Sequence, residues 1–130
     1  MSEHPNAARL RRGHEAFSSG DMDTLTELIA EDTVWHWPGK SPISGVYKGR
    51  TAVFEAFAKI GELSGGTFKL VDLDFLATDK NTVAISRATA TRGDKTLEYS
   101  FCEVIQWRDG QIVEERIFID DQYAFDEFWS

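Results

Sequence analysis

The chain has a single cysteine, Cys102, which excludes an internal disulfide and any cysteine-rich metal site. Its three histidines lie far apart without ligand spacing, so no metal is expected. No stretch approaches the roughly 20 apolar residues of a membrane-spanning helix. The opening MSEHPNAARLRRGHE lacks the apolar run of a signal peptide. Basic residues are outnumbered, 14 against 22 acidic, for a net charge of -8; this balance repels phosphate backbones and anionic lipid and argues against nucleic-acid and membrane partners. A cytoplasmic location fits best. Phosphate-cradling Gly-rich loops, dinucleotide fingerprints, repeats, low-complexity tracts and linkers are all missing, so no cofactor is expected and residues 1–130 read as one domain.

What the chain does have is aromatic residues: nine Phe, four Trp and three Tyr among 130. That exceeds the need of a simple core and points to a cavity lined by rings. Hydrophobic spacing divides the chain by period. Leu10, His14 and Phe17 mark one face of a helix over 6–19, stopped by Ser19-Gly20. Asp21 caps a second helix whose buried stripe is Met22, Leu25, Leu28 and Ile29. A short strand over 33–37 follows, then a loop through Pro42, Gly45 and Gly49. Val53, Phe54, Phe57 and Ile60 predict a third helix over 51–60, with Gly61 just past its end.

After Gly65-Gly66 the period becomes two. Runs over 68–78, 82–91, 96–108 and 111–121 predict a four-stranded antiparallel meander, with Asp109-Gly110 as a hairpin turn. Arg92-Gly93-Asp94 is read as a turn. The aromatic tail YAFDEFWS, 123–130, is expected to fold back over apolar surface. The order α-α-β-α-β-β-β-β describes an α+β domain with three early helices packed on a curved, mainly antiparallel sheet.

Three segments, FSSGDMDTLTELIAEDTVWHWPG, SPISGVYKGRTAVFEAF and WRDGQIVEERIFIDD, resemble the NTF2-like superfamily, and within it the SnoaL-like and ketosteroid-isomerase-like groups. The resemblance spans nearly the whole chain. It implies a cone-shaped sheet around a pocket, a small hydrophobic or polycyclic organic ligand, homodimers through the sheet, and cofactor-independent acid–base chemistry of the isomerase or cyclase kind. A non-catalytic ligand-binding or dimerisation module is the alternative, because one fold hosts many functions.

In the steroid isomerases a catalytic Asp precedes a similar Gly-x-x-Pro-x-Ser-Gly stretch, and alignment through Gly39, Pro42, Ser44 and Gly45 puts His36 at that position. An imidazole, with an ordinary pKa of about 6.5, accepts a proton near neutral pH. On a strand His36 shares a face with Val34 and Pro38, and if Val34 points inward so does His36. The family's hydrogen-bond-donating acid corresponds to Glu103, which alternation places with Phe101, Ile105 and Trp107. With a plain two-residue turn Glu103 lies opposite Arg116; a bulge instead brings Glu115 and Ile117 to its side. The family's tyrosine on the first helix aligns with Gly13, beside His14, which is read either as the substitute donor or as a hydrogen-bonded histidine at the core boundary. Asp120, or its neighbour Asp121, ends the last strand and is expected to orient His36 or a water. Arg87 is placed to pair with Glu103 or an acidic ligand group, and Val53, Phe54, Phe57, Trp107 and Phe118 are expected as pocket walls. Cys102 alternates away from Glu103 and is not expected as a nucleophile.

Overall fold

The computed structural model describes residues 3–130. Helix α1, Pro5–Ser19, starts on a cap in which the His4 ring accepts from the Asn6 amide. It ends at Gly20 in the left-handed region (φ 74°), a conformation glycine adopts without steric penalty. Asp21 caps α2, Met22–Leu28, by accepting from the Thr24 amide. Ile29 does not extend that helix: it opens β1, Ile29–Trp37, which is longer than the 33–37 expected. The expected loop contains a four-residue strand, β2, Gly45–Lys48. Helix α3, Arg50–Leu63, runs straight through Gly61 and stops at Ser64, before Gly65 and Gly66. Gly61 keeps a helical backbone because the flanking Ile60 is locked in the core.

The meander is present as β3 (Lys69–Ala77), β4 (Asn81–Arg92), β5 (Lys95–Arg108) and β6 (Gln111–Ile119). The tail folds back as expected, as a capped helix α4, Gln122–Trp129. One six-stranded sheet results, in the order β2-β1-β6-β5-β4-β3, antiparallel except for β1 against β6. Asp109 and Gly110 both have positive φ, the two-residue turn that matches strand twist.

Two bulges decide which side chains face inward. Between Gln106 and Trp107 the β5–β6 register shifts by one, so that Glu103 sits opposite Ile117 and Ile105 opposite Glu115. In β3 the register shifts between Asp72 and Asp74. An extra residue restores the same face to positions three apart: Ile112 with Glu115, and Asp72 with Phe75. The inner face packs against the helices in two aromatic-rich clusters, one around Tyr99, Phe101, Phe125 and Trp129, the other around Leu10, Trp35, Val53 and Ile105.

Candidate functional site

Between the sheet and the helices lies a cavity with free space of about 80 Å³. Its walls include Trp35, Trp37, Phe57, Tyr99, Phe101 and Trp129. His14 projects from α1 into this apolar interior, where an isolated charge would be costly. It is flanked by carboxylates instead: Nδ1 is 2.6 Å from Asp72 Oδ1 and Nε2 is 2.9 Å from Glu103 Oε1. The Glu103 approach lies off the hydrogen-bond line, so this second contact is chiefly one of charge. Ser86 donates to Asp72 at 3.4 Å. Glu115, on β6 beside β5, brings its carboxyl next to that of Glu103.

Burial by itself would lower the His14 pKa, but the charge of Glu103 and the hydrogen bond to Asp72 outweigh it and raise it to about 10. The imidazole is therefore an imidazolium at neutral pH. Burial pushes Glu103 up, yet the adjacent His14 charge prevails and holds it below the ordinary range. Glu115 is driven the other way: burial first, then the charge of Glu103, raise its pKa well above that of a free glutamate. The two neighbouring carboxyls are thus driven apart, Glu103 toward its ionised form and Glu115 toward its protonated one. Burial, then the Glu103 charge, also push up the Tyr99 phenol in the same wall. Among the described residues no group of three or more His, Cys, Asp or Glu side chains is arranged to hold a metal ion.

Of the residues singled out from sequence, His14, Glu103 and Phe57 line the cavity. His36 does not. Trp35 and Trp37 face inward, so His36 lies on the outer face of β1, with Nε2 3.4 Å from Glu114 Oε2. The strand turns this way because two indoles bury far more apolar area than Val34 and an imidazole. Asp120 is exposed and accepts from the Ser100 and Asp121 amides, while Asp121 caps α4; neither reaches His36 or the cavity. Arg87 lies on the outer face and pairs with Glu98, not Glu103. Phe118 is 56% exposed on that same face, since the bulge turns Ile117 inward. Val53 is core, Phe54 packs on Phe57 along a shallow surface groove, and Trp107 donates to Thr82 Oγ1 at 2.9 Å without reaching the cavity. Cys102 lies on the outer face, paired across from Phe118.

Sequence reasoning missed Asp72 and Trp129, and reached Glu115 only as one of two registers. Asp72 hides in LVDLDFL, where strict alternation would put Asp72 opposite in face to Phe75. Trp129 was signalled only by the aromatic tail.

The structure of Bal32a, from a soil-derived mobile gene cassette, is 46% identical, with a TM-score of 0.94 and coverage of 97% of both chains. An uncharacterized protein of Mycobacterium tuberculosis is 28% identical over 131 residues, covering 100% of each. An NTF2-like protein from Burkholderia xenovorans, at 23% identity, TM-score 0.85, and coverage of 100% of this chain and 99% of that one, shares the fold. The SnoaL-like domain model matches residues 10–115, and with that match over most of its length the chain belongs to the SnoaL-like family.

Proposed function

We propose that the cavity binds a small organic molecule and moves protons on it, with Glu103 as base, Glu115 as acid, and the His14–Asp72 pair holding Glu103 ionised and in place. The observation that carries this reading is the Glu103–Glu115 pair, two fully buried carboxyls with opposite pKa displacements in one aromatic cavity. Paired titratable groups pushed apart by their surroundings are the usual basis of acid and base assignments. On a ketone, the protonated carboxyl gives its hydrogen to the carbonyl oxygen while the carboxylate takes one from the adjacent carbon. The product is the enol, and the carboxyl pair again holds one proton. Returning that proton at a different carbon completes an isomerisation.

The reading is tested without knowing the natural substrate by following hydrogen–deuterium exchange next to the carbonyl of small cyclic ketones in D2O by NMR. The protein is expected to accelerate exchange. Glu115→Gln, isosteric with the protonated acid, is expected to cut the acceleration by about 10²-fold or more while ligand still binds; His36→Ala, on the outer face, is expected to leave it intact. Saturable binding with no exchange would instead favour a ligand-binding module.

We infer also that two copies associate through the outer sheet face. Val46, Val71, Leu76 and Phe118 are all more than half exposed on that face of a single sheet, an unusual amount of aliphatic and aromatic surface for water to cover. Sedimentation at micromolar concentration should give twice the 14.7 kDa chain mass, and Phe118→Glu should shift the species to monomer. A monomeric wild type would refute the association.

A further inference from the structure

One wall of the cavity is also the wall of a groove on the protein surface. Of the twenty-one residues that line the cavity all but five are buried, and three of those five, Phe17, Phe57 and Phe68, stand together. Phe17 of α1 meets Phe57 of α3 edge-on, with ring centroids 5.0 Å apart, and Phe68, just before β3, at 6.0 Å. Outside these rings lies the groove that Phe54 borders, with free space of about 300 Å³. Leu25 and Ile60 also line both spaces, so the same side chains bound the cavity on one side and the groove on the other.

The groove is open and uncharged. None of the residues lining it is ionisable, in a chain that is 28% charged. A Cβ added at Gly20, Gly61 or Gly66, which border it, would meet nothing within 4 Å. Met22, on the stripe of α2 expected to be buried, is instead 45% exposed at its edge. Apolar surface of this kind is unfavourable in water unless something apolar covers it.

Size and charge decide the occupant. The cavity's free space of about 80 Å³ holds a small head group and falls short of the ~300–1,000 Å³ of sites that enclose a whole ligand. Cavity and groove together enter that range. A chain one methylene wide passes between edge-packed rings with less displacement than a fused ring system, and close-packed side chains resist the larger shift. The charged groups at the head position are His14, Asp72 and Glu103, one cationic against two anionic, and the groove offers no cation. A carboxylate head would add a like charge beside Glu103.

We propose that cavity and groove form one site for an uncharged, single-chain amphiphile, a ketone or aldehyde whose carbonyl lies in the cavity and whose saturated tail runs past Phe17, Phe57 and Phe68 into the groove. The proposal deepens the functional reading above and rests on it for the position of the carbonyl.

Calorimetric titration with the methyl ketones from 2-pentanone to 2-nonanone, and with nonanoate, tests it. Affinity is expected to rise roughly threefold to fourfold per added methylene, about 10²-fold across the series. Nonanoate should bind at least about tenfold more weakly than 2-nonanone. Gly61→Glu puts a charge into the groove at a helix position where glutamate is the better helix former, and should shrink the gain across the series to below about threefold. Met22→Asp, at the first residue of α2 where an acidic side chain is favourable, should do the same and decides if the first variant does not fold. A flat wild-type series, no binding by any ketone, nonanoate as tight as 2-nonanone, or a series unchanged in the variants would overturn the proposal. So would a change in sedimenting mass on Gly61→Glu, which would make the groove a contact between copies. A rising series without ketone exchange sinks only the catalytic reading; exchange with a flat series sinks only this one.

Discussion

Replacing His14 with alanine is expected to destabilise the protein by about 3–5 kcal/mol, the range found when one partner of a buried ion pair is removed. His14 and Glu103 are each less than a tenth exposed at the side chain, so the substitution strands a carboxylate that has no water to turn to. Urea unfolding followed by circular dichroism measures the loss, and a change below about 1 kcal/mol would contradict the ionic assignment. Removing both charges, as in His14→Leu with Glu103→Leu, should cost less than the single change, since an apolar pair of similar volume lacks the stranded charge. The same site sets a pH dependence whose sign follows from the His14 pKa of about 10. A folded-state pKa above the unfolded value gives stability that is complete below about pH 6.5 and is lost as the pH rises through about 10. The slope is at most about 1.4 kcal/mol per pH unit, and the raised Glu115 contributes with the same sign. Asp72 and Glu103, both lowered, contribute stability that disappears as acid protonates them. His14→Ala should flatten the alkaline limb; an unchanged limb would mean that the imidazole is neutral when folded.

Gly39→Ala is expected to unseat the C-terminal helix. Gly39 has φ 98°, where a side chain is strained. A Cβ there would overlap Gln122 Nε2 and Asp126 Oδ1 and come within 2.9 Å of Asp126 Cγ. Those two side chains help dock α4: Gln122 donates to the Pro38 carbonyl at 3.2 Å, and Asp126 accepts from the Lys40 amide at 3.0 Å, alongside Arg92 and Lys95, which donate to carbonyls at the helix C-terminus. Forcing them aside loosens a helix that buries Phe125, Phe128 and Trp129. We expect a loss of about 2–4 kcal/mol, from backbone strain together with broken docking bonds, and a red-shifted tryptophan emission as Trp129 meets water. A variant with native emission and native stability would show that α4 docks independently of Gly39.

The first three helices, the meander and the Asp109-Gly110 turn are legible in the sequence because periodicity and turn chemistry are local, whereas α4 shows there only as an aromatic tail that folds back. The edge strand β2 is not legible, since the three residues between Gly45 and Gly49 carry no period. Family alignment makes His36 the base and His14 a substitute donor, and the structure reverses their positions, with His14 in the cavity wall and His36 on the outer face. A strand alternation says which residues share a face but not which face is buried, and here Trp35 and Trp37 decide it. Glu103 was found through family resemblance and its apolar neighbours. Asp72 could not be found, because its contact with His14 joins residues 58 apart and depends on a bulge that leaves no mark in composition.

Both acidic groups that complete the cluster, Asp72 and Glu115, face inward only by virtue of one supernumerary residue in each strand. Chemical identity at those columns is therefore an incomplete guide to kinship of function. A homologue could keep every aspartate and glutamate of this cavity and, through a one-residue deletion beside either of them, present the carboxyl to bulk solvent. Where a gap is drawn in β3 or β6 thus determines whether two SnoaL-like chains are compared at equivalent positions or on opposite sides of the sheet.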